Sequence, residues 1–219
     1  MSTSDATASR AYDNSGRQQS SRERQLRVAQ VVGHLVVERG YAALTVGEIA
    51  TAAEVSIPWL YKVFGPKRFL VKRAYDVLLA GDVDPVPISA RSAFQALAAE
   101  TDPDKAVRRY AAISRDLVTR VGPLAAAILA AGVSGDQDIA ELADTIAGER
   151  LIGATAFSQR LATLGALAPG VTPERARDTV WALISPEMYR MLVIERGWND
   201  TSYERWLAQS LKAALLVAT

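Results

Sequence analysis

A chain of 219 residues, 49% apolar and 22% charged, can bury a core and has the composition of a folded protein rather than a disordered one. It has no cysteine and a single histidine, His34. Disulfides, thiol nucleophiles and thiolate or paired-histidine metal sites are therefore excluded, and a reducing, cytoplasmic compartment is the expected setting. The net charge of +1 is uneven: residues 1–80 carry 11 Lys/Arg against 7 Asp/Glu, and residues 81–219 carry 14 against 17. A basic head thus precedes a mildly acidic body, which suits a head that meets phosphate.

Residues 1–20 are rich in Ser, Thr, Asp and Arg and hold no apolar signal core, so they predict a flexible tail and no secretion. No apolar run reaches bilayer length; the longest, Pro123 to Val133, is short and Ala-rich, and no membrane partner is expected. Ser20-x-x-Glu23 reads as a capping box opening a first helix, apolar from Leu26 to Val37 and stopped by Gly40. Thr45-x-x-Glu48 is a second capping box, opening a helix to about Ala53 with Ile49, Ala50 and Ala53 on its inner face. Glu54-Val55 makes the turn, Ser56 caps the next helix, and Pro58 sits in its first turn, where the missing amide costs little. Gly65-Pro66 ends that helix and starts another to about Ala80.

Gly81 to Pro87 is a loop by composition and the predicted domain boundary. Asp102-Pro103 opens a helix to about Val121, Gly122-Pro123 breaks it, and an Ala-rich helix follows to about Ala131. Asp136 to Ala166 reads as one long helix. Thr172-Pro173 starts a helix to about Ile184, Ser185-Pro186 restarts it to Arg196, and Gly197 stops it. Thr201-x-x-Glu204 is a third capping box for the last helix, to about Val217. No run has strand period. The fold class predicted is all-α: a tail (1–20), a three-helix helix-turn-helix domain (21–65), a connecting helix (66–80) and a helical ligand-binding and dimerisation domain (81–219).

Short helices joined by a tight turn place one helix in the DNA major groove. Within that arrangement Thr45, Tyr61 and Lys67 are candidate phosphate contacts, Thr45 through a free hydroxyl beside unpaired amides. Ser56, Ile57, Pro58 and Trp59 lead the second helix into the groove, where the apolar ones meet thymine methyl groups. Lys62 is the candidate guanine reader. The plainer readings are that Tyr61 packs under the first helix, that Trp59 is buried, and that Lys67 is a solvated charge. Leu60, Val63 and Phe64 read as core. His34, mid-helix between apolar neighbours, reads as a surface or edge histidine, and no catalytic constellation, metal site or cofactor is expected.

The head resembles the DNA-binding domain of the tetracycline-repressor (TetR) family. That family's pattern runs Gly-Tyr, Thr-x-x-x-Ile-Ala, Ala-Gly-Val-Ser-x-Gly-x-Leu-Tyr-x-x-Phe-x-x-Lys-x-x-Leu. This chain has Gly40-Tyr41, Thr45, Ile49-Ala50, Ala53-Glu54-Val55-Ser56, Leu60-Tyr61, Phe64, Lys67 and Leu70 in the same register. It departs at Glu54, which replaces the turn glycine and is expected to hold an unusual backbone angle, at Pro58-Trp59 for a Gly-Thr pair, and at Val63 for His or Tyr. Gly165 to Leu167, Trp181 to Glu187, Arg196 to Trp198 and Trp206-Leu207 are similar to the C-terminal part of many TetR regulators.

The resemblance implies a homodimer on a palindromic double-stranded DNA operator, with its recognition helices about 34–36 Å apart. It implies repression relieved by an unidentified small-molecule effector. The dimer candidates are the apolar stripes Val180, Leu183 and Ile184 with Leu207, Leu211, Ala214 and Leu215, which equally well pack inside one chain. The pocket candidates are Tyr110, Ser114, Leu117, Phe157, Leu161, Trp181 and Met188, each of which could be plain core. Arg115, Arg120 and Arg150 are available to an acidic ligand. Two other functions stay open: a TetR-like binding module that has lost its operator, and an all-helical enzyme using carboxylates such as Glu141, Asp144 and Glu149.

Overall fold

The computed structural model describes residues 4–133 and 135–217. Helix α1 spans Ser4–Arg39, and Val28, Ala29, Val32 and Val36 recur along it at helical spacing and are buried. Gly40 ends it at φ 78°, where its amide reaches the Val36 carbonyl. The helix start departs from expectation: the backbone is helical from Ser4 and not first from Ser20-Ser21. The residues before Ser21 contain no proline. Once the buried part of α1 has nucleated, adding a residue costs little. Ser21 and Glu23 serve as side-chain partners of Gln25 and Gln19 one turn away rather than as a cap. The first three residues of the predicted tail lie outside the described residues.

Helices α2 (Val46–Ala52), α3 (Ile57–Phe64) and α4 (Lys67–Ala80) follow the predicted boundaries closely. Ile49 and Ala53, Leu60 and Phe64, then Leu70, Val71 and Ala74, close over the inner face of α1. Glu54, between α2 and α3, holds φ 55°, the left-handed angle expected where the family pattern has glycine.

A 3₁₀ turn at Ile88–Ala90 and helix α5 (Ser92–Ala99) fill a stretch with no strong sequence signal. Helix α6 runs unbroken from Pro103 to Ala131, so the predicted break at Gly122-Pro123 does not occur. Proline in a helix interior costs a hydrogen bond and crowds the preceding turn. Here Val118, Val121, Leu124, Ala125 and Ile128 are buried on both sides of it and hold the helix together. Gly122 is the closest approach of Tyr189, whose ring would stand 3.0 Å from a Cβ there.

Helices α7 (Gln137–Thr163), α8 (Pro173–Leu183), α9 (Pro186–Tyr189) with a π-helical continuation (Arg190–Glu195), and α10 (Asp200–Leu215) complete the body. The cap of α10 is Asn199, whose side chain accepts the Ser202 amide at 2.8 Å, and not the predicted Thr201. The chain after α7 is pinned to the end of α10 by the Ala168 amide on the Leu215 carbonyl, 2.8 Å, and by a bridge between Leu167 and Leu216.

The apolar core falls into two parts. One joins the head to the near halves of α6 and α7 through Leu124, Ile128, Ile139 and Ile146. The other joins the far halves of those helices to α5, α8, α9 and α10. The division crosses α6 and α7 instead of following the loop at 81–87. Among the described residues no helix is long and apolar enough to cross a membrane.

Candidate nucleic-acid interface

Helix α3 is amphipathic along its short length. Leu60 and Phe64 enter the core, while Ile57 and Tyr61, one turn apart, are 44% and 50% exposed. Ser56, Pro58 and Lys62 are exposed beside them. The Ser56 hydroxyl accepts the Trp59 amide at 3.3 Å and fixes the helix start, with Pro58 in the first turn as predicted. The outer surface of α3 is therefore an apolar tip followed by a phenol and an ammonium, a set that can meet thymine methyl groups, phosphate and guanine.

Trp59 divides its surface. Its ring meets Phe64 edge-on, centroids 5.9 Å apart, and the Arg24 guanidinium lies 5.4 Å over it. It is half-buried, between the two readings the sequence left open. Arg24, on α1, belongs to this surface, and no local pattern in the sequence connects it to α3.

Thr45 differs from expectation. Its hydroxyl is not free: it donates to a Glu48 carboxylate oxygen at 2.8 Å and accepts the Glu48 amide at 3.2 Å, while the Thr45 amide donates to the same carboxylate at 2.9 Å. The capping box closes on itself because its two members satisfy each other. Arg39 adds an ion pair to Glu48 at 2.6 Å. The Thr45 amide and hydroxyl and the Arg39 guanidinium hold the Glu48 carboxyl down at about 2. A phosphate reaching this helix end must compete with Glu48.

Lys67 is not simply solvated. Its ammonium lies 4.2 Å from the centre of the Tyr41 ring, and partial burial lowers its pKa. Burial, with Asp138 and Asp136 nearby, pushes the Tyr41 phenol up to about 12. Two other cations of α4 turn to the body: Arg68 pairs with Asp138 and Glu141, and Lys72 with Asp76 and Glu149. His34 is exposed and pairs with Glu38 at 3.1 Å.

Residues 34–74 match the model of the family described as bacterial regulatory proteins, tetR family. The match spans the end of α1, the helix-turn-helix and half of α4, the segment whose geometry has just been described. The head is that of the TetR family. Solved structures agree on the fold. A TetR-family regulator from Syntrophomonas wolfei is 14% identical with TM-score 0.69, over 90% of this chain and 98% of that one. The regulator FadR from Bacillus subtilis, in complex with stearoyl-CoA, is 13% identical with TM-score 0.66, over 84% and 96%. A regulator from Saccharomonospora viridis, in complex with choline, is 14% identical with TM-score 0.62, over 90% and 99%. No curated protein gave a significant match.

In the body the predicted pocket residues form packed core more than an open cavity. Tyr110 and Phe157 stack almost parallel with centroids 3.9 Å apart, and Leu161 is fully enclosed. Ser114, Leu117, Trp181 and Met188 are half-buried around them, with the Trp181 indole N–H donating to the Ala147 carbonyl at 3.3 Å. A surface cleft of about 490 Å³ lies elsewhere, around Trp198, Asn199, Ser202 and Trp206.

Of the dimer candidates, Val180, Leu207, Leu211 and Leu215 are wholly enclosed by their own chain and have no surface to offer a second one. Helical periodicity shows that a face is buried but not against what. Leu183, Ile184 and Ala214 keep accessible surface.

Proposed function

We propose that the chain is a homodimeric, ligand-responsive transcription regulator, a repressor that leaves a palindromic operator when a small effector binds its body. The observation that carries this is the α3 surface, where Ile57, Pro58, Tyr61 and Lys62 stand exposed on a helix whose other face is locked into the head core. In this reading the first turn of α3, from Ser56 to Trp59, enters the major groove, Lys62 reads a base, and Tyr61, Lys67 and the Thr45 helix end hold phosphates on either side. The dimer sets two such helices one DNA turn apart, with Leu183, Ile184 and Ala214 at the subunit contact.

The effector is a small molecule held among α6, α7 and α8, near Tyr110, Phe157 and Trp181. The stearoyl-CoA and choline bound by two structural neighbours support a ligand role for such bodies without naming this one's ligand. Switching rests on α4, which carries α3 at one end and is ion-paired to α7 along its length. An effector shifts DNA affinity only by its preference for one of the two body conformations. The protein works in the cytoplasm and catalyses no reaction.

The test is a titration of the purified chain against DNA flanking its own gene at several salt concentrations, with selection from random DNA if that fails. Saturation at one dimer per site, a preference over random DNA and a steep salt slope support the reading. Absence of sequence-preferring binding from both DNA sources removes it.

A further inference from the structure

Arg150, on α7, carries two side-chain nitrogens, Nε and Nη1, that are buried and make no hydrogen bond, and among the described residues it joins no ion pair. Other arginines with buried nitrogens are provided for: Arg91 pairs with Asp82 at 2.6 Å, Arg115 with Glu204 at 3.4 Å, and Arg160 donates to the Glu100 carbonyl at 2.8 Å. Guanidinium N–H donors taken out of water without a hydrogen-bond partner are costly, so folded chains nearly always satisfy them.

The group is also held in place. The guanidinium lies 4.6 Å over the Trp181 ring, and the Trp181 indole is itself fixed to α7 by its bond to Ala147. The same face of α7 carries Phe157 two turns on, stacked on Tyr110. Glu187 is the one carboxylate whose charge is felt there, with the phenols of Tyr75 and Tyr110 close by, and burial lowers the Arg150 pKa. A positioned guanidinium with free N–H donors, beside aromatic and apolar side chains, has the chemistry of a carboxylate receptor, since its fork matches two carboxylate oxygens.

We propose that Arg150 is the anion-binding group of the effector site and that the effector is a small organic carboxylate with an apolar body, its carboxylate on Arg150 and its apolar part against the half-buried Trp181. This rests on the regulator reading for its purpose, though not for its chemistry. The residue before Arg150 is Glu149, which holds Lys72 of α4 at 2.9 Å. An anion drawn to Arg150 therefore acts one residue from the ion pair that joins the body to the helix carrying the head.

The experiment uses the full chain and two probes, 2-naphthoate and decanoate, each beside its neutral amide, followed by tryptophan fluorescence and thermal shift. The wild type is expected to bind at least one carboxylate at least tenfold more tightly than its amide. Arg150→Gln should weaken the carboxylate roughly ten- to a hundredfold, the scale of a hydrogen bond to a charged group, and leave the amide unchanged. Arg150→Lys, which keeps the charge but not the fork, should recover part of the loss, and Glu187→Gln should keep or tighten binding.

Failure of both carboxylates to bind wild type, or equal binding by wild type and Arg150→Gln, overturns the proposal. So does an Arg150→Gln protein that melts well below wild type while Arg150→Lys binds no carboxylate, because Arg150 would then be structural. Operator binding measured alongside separates the two ideas. A chain that binds DNA but no carboxylate loses only this inference. A chain that binds carboxylate through Arg150 but no DNA loses only the regulator reading.

Discussion

The Lys72 ammonium lies 2.9 Å from a Glu149 carboxylate oxygen and 2.6 Å from Asp76, so a single side chain of α4 bridges its own helix to α7. Burial opposes the charge on Lys72, but the two carboxylates outweigh it and raise its pKa above 10.5. With Arg68 on Asp138 and Glu141, the pair forms an ionic seam along the helix that connects head and body.

Removing the seam should uncouple more than it unfolds. Glu149→Gln should change stability by no more than about 1 kcal/mol, since the carboxylate is half-exposed. In operator titrations it should keep DNA affinity and reduce the release caused by a bound effector. The pH dependence follows from a raised folded-state pKa. The Lys72 contribution is fully present below about 10.5 and is lost as pH rises past it. Urea melts at pH 8 and pH 11 should show a larger loss at high pH for wild type than for Lys72→Met.

The capping box at α2 has the opposite sign. The Glu48 pKa, held at about 2 against an ordinary 4.5, is depressed in the folded state. Its contribution is present above 4.5 and is lost as pH falls towards 2. Titration of the Glu48 carboxyl by NMR should show a midpoint well below that of the solvated glutamates. Thr45→Ala, which removes the cap, should cost about 1 kcal/mol of stability in denaturant melts.

Two lysines should separate by their salt dependence. Lys67→Ala should weaken all DNA alike and reduce the slope of log affinity against log salt by about 1. Lys62→Ala should relax preference at one base pair by about 1–3 kcal/mol in competition binding against single-base operator variants. A uniform loss for Lys62→Ala would make it a phosphate contact instead.

Glu54 carries strain without a compensating contact of weight. Its φ of 55° is costly for a residue with a Cβ, and its nearest cation, Arg27, is 3.9 Å away at an exposed site. Glu54→Gly should stabilise the chain by about 1 kcal/mol, raising the melting temperature by roughly 2–4 °C in a scan. Operator affinity should stay the same or rise, since a negative charge leaves the head.

Local sequence specifies most of the head. The Thr45–Glu48 capping box, Gly40, Ser56 and the apolar spacing around Leu60 and Phe64 act within a few residues, so local chemistry is enough to define α2, the turn and α3. The strain at Glu54 was legible through the resemblance, because Glu54 stands where the family pattern has glycine. Packing between distant segments sets the rest. Pro123 stays helical because the buried residues on both sides of it outweigh a local cost. Arg24 reached Trp59 from a different helix. Val180, Leu207, Leu211 and Leu215 faced their own chain because a periodic stripe names no partner. Arg68, Lys72 and Arg150 look alike in sequence. Which of the three has a carboxylate beside it depends on how α4, α7 and α8 pack, and electrostatic pairing across tens of residues leaves no local signal.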